Sequence, residues 1–150
     1  MIFDRTQYDI DTAIALRNKL GSGGELTDSE IAQIERGTLT INTLNRIEEK
    51  QSELKNLFEA DAYFVGDITN RVWTYTDYFL QSDFDRILDN LDKLRKAYFV
   101  YKSTPNVSNK NFTQYKTINE VEHILNDLDL MISDVKSHYR ECGDVICGEE

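Results

Sequence analysis

Proline occurs once in this chain, at Pro105, and only seven glycines interrupt its 150 residues. So few breakers leave long stretches free to form helix. No apolar run approaches the ~20 residues that a membrane-spanning helix needs. Basic residues are scarce: 17 Lys and Arg stand against 27 Asp and Glu, a formal charge of −10. Phosphate recognition depends on clustered Lys and Arg, so this balance argues against nucleic acid and against an anionic membrane as partner. The opening residues, 1–11, lack a basic start, an apolar stretch and a small-residue cleavage site, so no secretion signal is expected. Synthesis in the cytoplasm follows as the expected location.

Cysteine is limited to Cys142 and Cys147. The pair admits free thiols, a small disulfide loop, or half of a zinc site. Zinc usually takes four protein ligands and the chain has no second pair, while a reducing cytosol favours free thiols. All three readings stay open.

What the sequence does contain is three apolar stripes stepped alternately by three and four. They run Leu44-Ile47-Gln51-Leu54-Phe58, then Phe84-Ile87-Leu91-Leu94-Tyr98-Tyr101, then Ile118-Val121-Leu125-Leu128-Ile132-Val135. Such spacing places the side chains on one face of a helix, and such faces pack at shallow angles on other helices. With 40% apolar and 29% charged residues, the composition suits a globular domain. The expectation is an all-α antiparallel bundle of four to five helices. Residues 1–140 form one domain, and 141–150 an acidic tail rich in Cys and Gly.

Capping chemistry divides the chain further. Thr6 caps a helix over about 7–20, which Gly21-Ser22-Gly23-Gly24 ends; that segment lacks the Lys-Ser/Thr of a phosphate loop. Thr27-Asp28-Ser29-Glu30 spells a capping box opening a short helix to about Arg36. Thr38 or Thr40 caps a third helix to about Ala60. Residues 61–76 break the period and read as extended, or as a small hairpin with Gly66-Asp67 at its turn, and a short helical turn is expected at Thr76-Asp77. Ser82 with Asp85 signals a further helix to about Tyr101. Residues 102–116 read as a crossover loop, and Thr117-Ile118-Asn119-Glu120 as a second capping box opening a helix of some twenty residues.

Catalytic chemistry is hard to assemble. Glu120-x-x-His123 has the spacing used by carboxylate-bridged di-iron bundles, which need two such motifs, and His138 has Val135 in place of the glutamate. No serine occupies a Gly-x-Ser-x-Gly turn. Glu141, Asp144 and Glu149 near the cysteines disfavour a reactive thiolate. No enzyme, cofactor or metal is therefore expected. Aromatics gather instead at Tyr63, Phe64, Trp73, Tyr75, Tyr78 and Phe79. Large rigid side chains of this kind anchor protein interfaces, which makes Tyr63, Trp73, Tyr75 and Tyr78 the candidate partner-binding residues. The alternative is that Trp73 and Phe79 fold the irregular segment onto the bundle.

One resemblance rests on residues 38–100. Thr40-Ile41-Asn42-Thr43-Leu44-Asn45-Arg46-Ile47-Glu48 resembles an Asn-Arg-Ile/Val-Glu helix of small tail-region proteins of phages and prophages of Gram-positive bacteria. Those sequences continue with a Tyr-containing linker, matched by Tyr63, and a Trp-Thr-x-x-Asp-like stretch, matched by Trp73-Thr74-Tyr75-Thr76-Asp77. An Arg-x-x-x-Asn-x-x-x-Leu-Arg helix follows, matched by Arg86, Asn90, Leu94 and Arg95. The ends Met1-Ile2-Phe3-Asp4-Arg5-Thr6 and Tyr139-Arg140-Glu141-Cys142-Gly143 are similar to that group as well. The resemblance implies a non-enzymatic structural or assembly protein of a tail or baseplate, which contacts other phage structural proteins and ends in the virion. Further apolar residues at Ile31, Ile34, Leu39 and Ile41 add the expectation of self-association. The competing reading is a small acidic inhibitor that mimics nucleic acid and binds a host DNA-binding protein.

Overall fold

The computed structural model describes the backbone of residues 1–143 and the side chains of residues 1–137. Its helices are α1 (Gln7–Gly21), α2 (Asp28–Gly37), α3 (Ile41–Ala60), α4 (Gln81–Ala97) and α5 (Tyr115–Gly143). No strand occurs among the described residues. The all-α bundle of five helices is as expected. Every stripe residue inside α3, α4 and the described part of α5 is buried, except half-buried Val135.

The direction of the helices differs from expectation. Phe58 near the end of α3 stacks on Tyr98 just past the end of α4, with ring centroids 4.9 Å apart. Earlier in both helices, Arg86 of α4 reaches Glu48 of α3 at 2.6 Å. Along α3 and α5, Arg46 meets Glu122 at 2.6 Å, Lys50 meets Asp129 at 2.9 Å, and Asp61 meets Lys136 at 3.1 Å. Residue numbers rise together in each pair, so α3, α4 and α5 run parallel. The antiparallel arrangement read from the stripes is corrected here. A 3-4 stripe specifies which face is apolar and says nothing of direction. Direction follows from the connections, which here are long enough to carry the chain back along the whole bundle.

Those connections occupy the grooves between the parallel helices. Residues 61–80 return along the α3–α4 groove as an extended strap. Residues 98–114 return between α4 and α5, with Ser108 bonded to Glu120 and Thr104 to Asp127. Residues 1–6 lie along α5 toward α3, where Phe3 stacks on His123 at 4.8 Å. The hairpin alternative for 61–76 is not adopted. The strap runs as a single extended segment, its polar groups taken by helix side chains.

Helix ends depart from the expected caps in α4 and α5. Leu80, not Ser82, is the N-cap of α4, because the Asp83 carboxylate accepts the Leu80 N–H at 3.1 Å. The helix stops at Ala97 because Tyr98 turns extended, and its ring packs between Phe58 and Tyr63. Helix α5 begins at Tyr115; Thr117 lies buried inside the first turn, and Glu120 is drawn to Ser108 instead of capping. With 29 residues, α5 also runs longer than expected and continues three residues into the segment read as a tail. The candidate bridge between Cys142 and Cys147 lies outside the described residues. Thr6, Thr27 and Thr40 cap as expected. Around residue 76 the chain makes a turn and no helix: Thr74 and Asp77 close it through the Asp77 carboxylate.

Helices α1 and α2 form an antiparallel hairpin that packs chiefly on itself. Gly37 allows this close approach, since a Cβ there would sit 2.1 Å from the Asp9 carbonyl oxygen and 2.5 Å from the Ala13 Cβ.

Candidate functional site: a strap clamped in a helix groove

The strap is held by polar side chains projecting from α3 (Asn45, Glu48, Ser52) and α4 (Arg86, Asn90, Lys93). Asn45 treats Trp73 as a neighbouring strand would: its amide donates to the Trp73 carbonyl at 3.1 Å and its oxygen accepts the Trp73 N–H at 2.7 Å. One turn on, Glu48 is almost wholly buried. Its carboxylate accepts from the Trp73 indole N–H at 2.9 Å, the Arg71 backbone N–H at 2.7 Å, and both terminal nitrogens of Arg86 at 2.6 and 2.7 Å. A buried carboxylate is tolerable only when paired and fully bonded, and the bidentate guanidinium fork meets that need. The same contact holds the Arg86 pKa above its ordinary value.

From α4, Asn90 donates to the Thr69 carbonyl at 2.9 Å and the Asn70 side chain at 3.0 Å, while its oxygen accepts the Thr69 N–H at 3.3 Å. Asn70 bonds in turn to the Glu48 carbonyl and Ser52. Gln51, fully buried in the α3 stripe, donates to the Ile87 carbonyl at 2.8 Å and accepts from Asn90 at 3.2 Å. Lone extended chains carry unpaired amides; here α3 and α4 supply the missing partners.

The clamp sorts the aromatic cluster into two sets. Trp73 is 3% exposed and packs edge-on against Phe79, with the Arg71 guanidinium 4.4 Å from its ring centre on the outside. Tyr63 is half-buried and edge-on to Tyr98. These two of the four candidate contact residues are thus built into the fold. Tyr75 and Tyr78 are 92% and 84% exposed, and Phe64, Val72 and Leu80 join them at the surface. Around the turn at 74–77, Arg71 pairs with Asp77 and, at 3.7 Å, with Asp83.

A second buried cluster fastens the N-terminal segment. Glu122, fully buried, accepts from Arg5, from two nitrogens of Arg46 at 3.0 and 2.6 Å, and from the Ile2 N–H at 3.4 Å. Arg5 also reaches the Arg36 carbonyl at 3.0 Å, joining α5 to the end of the hairpin. Beside it lies a small cleft of about 130 Å³ touching Gly37, Phe112 and Tyr115. A wider groove of about 990 Å³ runs along the outer face of α4 under residues 100–110, with Leu88, Val100 and Val107 among its walls.

Residues singled out for metal chemistry have other partners. His123 stacks on Phe3 with its Nε2 3.5 Å from Asp127, and Glu120 is bonded to Ser108. Among the described residues no three His, Cys, Asp or Glu side chains converge. No described helix is long and apolar enough to cross a membrane.

The roles of Glu48, Arg86 and Asn90 were missed when the sequence was read for chemistry. They appear there only as letters of a resemblance. A signal existed: Glu48 directly follows a stripe residue and Asn90 directly precedes one, so both sit at the edge of an apolar face. No family model matches the chain, and no curated protein or solved structure was found similar to it.

Proposed function

We propose that this chain is a non-enzymatic assembly protein of a phage or prophage particle, associated with its tail or baseplate and acting through protein–protein contacts. The observation that carries the reading is the clamped strap: a segment bonded from both α3 and α4 leaves Val72, Tyr75 and Tyr78 exposed while Trp73 is buried beneath it. Rigid, solvent-facing aromatics bind with little loss of side-chain entropy, which favours an interface role. Asn45, Glu48, Trp73, Arg86 and Asn90, which carry part of the resemblance to tail-region proteins, also take part in the clamp.

A second surface suits contact between copies. On the hairpin, Ile14 and Ile31 are about half exposed, with Ile10 and Ile34 partly covered beside them. Two helices alone cannot enclose a core, and a second hairpin laid on this edge would complete a four-helix layer. Copies would then be joined through α1 and α2, leaving the strap free for a different protein. The nucleic-acid mimic draws less support, since acids on the outer surface are interleaved with lysines: Asp89 pairs with Lys93, Asp92 with Lys96, and Glu59 with Lys55.

Light scattering on the purified protein tests the reading. It predicts a defined oligomer at high micromolar concentration that an Ile14→Ser/Ile31→Ser variant reduces to monomer. A strict monomer at that concentration contradicts it.

A further inference from the structure

The charge around the strap's exposed face narrows what it can bind. Between residues 71 and 85 the charged side chains are Arg71, Asp77, Asp83 and Asp85, one cation against three anions, for a net −2. Arg71 is already committed. It pairs with Asp77 and, at 3.7 Å, with Asp83, and lies 4.4 Å from the Trp73 ring centre, so one cation is shared between two carboxylates. Asp85 bonds only to the neutral Gln81 amide among the described residues. The surface offered is thus an apolar and aromatic patch of Val72, Tyr75, Tyr78 and Leu80 with surplus carboxylate at its edge.

We infer that this patch docks a cationic protein segment, one carrying Arg or Lys among apolar residues, and that it is not a contact between copies. The inference rests on the assembly reading above and names the partner class of the same surface. A two-fold contact would set the patch against itself, with −2 facing −2 in chains that each carry −10 overall. Like charges brought together at an interface disfavour binding strongly. An arginine gains two things at once: attraction to the carboxylates and stacking on Tyr75 or Tyr78.

The experiment uses the full chain and two labelled decapeptides, one alternating Arg with Leu and one alternating Glu with Leu, followed by fluorescence anisotropy. The Arg-Leu peptide should bind, and binding should weaken at least fivefold between 50 and 200 mM salt, on the order expected for a few screened charges. A Tyr75→Ser/Tyr78→Ser variant, which leaves every charge in place, should weaken it about tenfold. A Phe99→Ser variant, at an exposed aromatic outside the patch, should leave it unchanged. Equal binding of the Glu-Leu peptide, or full binding by the tyrosine variant, overturns the inference. Loss of self-association in the tyrosine variant also overturns it, since the patch would then be a contact between copies, and the assembly reading would survive. A monomeric wild-type chain that still binds the Arg-Leu peptide through Tyr75 and Tyr78 leaves the docking inference standing and contradicts the self-associating assembly reading above.

Discussion

Glu48 joins three parts of the fold at one carboxylate. Its four hydrogen bonds tie α3 to α4 through Arg86 and tie the strap to both through Trp73 and Arg71. Removing one partner of such a pair leaves a charge and several donors unsatisfied. Glu48→Ala should therefore lower stability by about 3–5 kcal/mol, read as the shift in urea midpoint with unchanged slope. Gln51 is a contrasting case. Its side chain lies in the apolar stripe, and Asn90 keeps its bonds to Thr69 and Asn70 without it. Leucine would add apolar contact where an amide was fully bonded, so Gln51→Leu should change stability by no more than about 1 kcal/mol in either direction. If Gln51→Leu costs as much as Glu48→Ala, the buried amide is what sets the register of α3 on α4.

At the scale of elements, the hairpin of α1 and α2 is the separable part. Alanine at Gly37 would ordinarily favour helix by about 1 kcal/mol. Here the new methyl would meet the Asp9 backbone at 2.1 Å, a rigid obstacle, and clash outweighs propensity. Gly37→Ala should cost about 1–3 kcal/mol, and hydrogen exchange should show protection lost in α1 and α2 while α3 to α5 keep theirs. Equal loss throughout would mean the hairpin and bundle unfold as one unit. Acid should act on the same element. The Lys19 ammonium and the Thr27 N–H hold the Glu30 carboxyl at about 2, against an ordinary 4.5. A depressed carboxylate stabilises above its unfolded value and loses that contribution as pH falls through its folded one. The start of α2 should thus loosen between pH 4.5 and 2, visible as line broadening or shift of the Thr27 and Glu30 amides. Asp9, lowered chiefly by its hydrogen bonds with Thr6 and further by Arg36, loses its contribution at the start of α1 as pH falls below its ordinary 3.8. Amides of α2 unmoved down to pH 2 would contradict this.

Elements and their apolar faces were legible because periodicity and capping are local properties. Thr6, Thr27 and Thr40 each satisfy free N–H groups within three residues, so their signals could be read directly. The direction of the core helices was not legible from the stripes. It lay in the connections, since the 61–80 and 98–114 segments exceed the few residues that join antiparallel neighbours. The caps of α4 and α5 were misplaced for a tertiary reason: Tyr98 leaves its helix to pack on Phe58, and Glu120 serves Ser108. The candidate contact site was half legible. Aromatic density marked the strap, but which rings turn inward depended on Asn45, Glu48 and Asn90, residues distant in sequence from every ring they place.

Across the whole molecule, parallel helices hold a return strap so that its inner ring is buried while its outer rings face solvent. Trp73 is the chain's single tryptophan, so its fluorescence reports on the strap without any label. Acrylamide quenching of native Trp73 is the direct measurement. The account predicts blue-shifted emission and a quenching constant several-fold below that of the urea-unfolded chain, both lost in Glu48→Ala while most helical circular dichroism remains. Native emission that is red-shifted and quenched as readily as in the unfolded chain would show that the strap is not held in the α3–α4 groove.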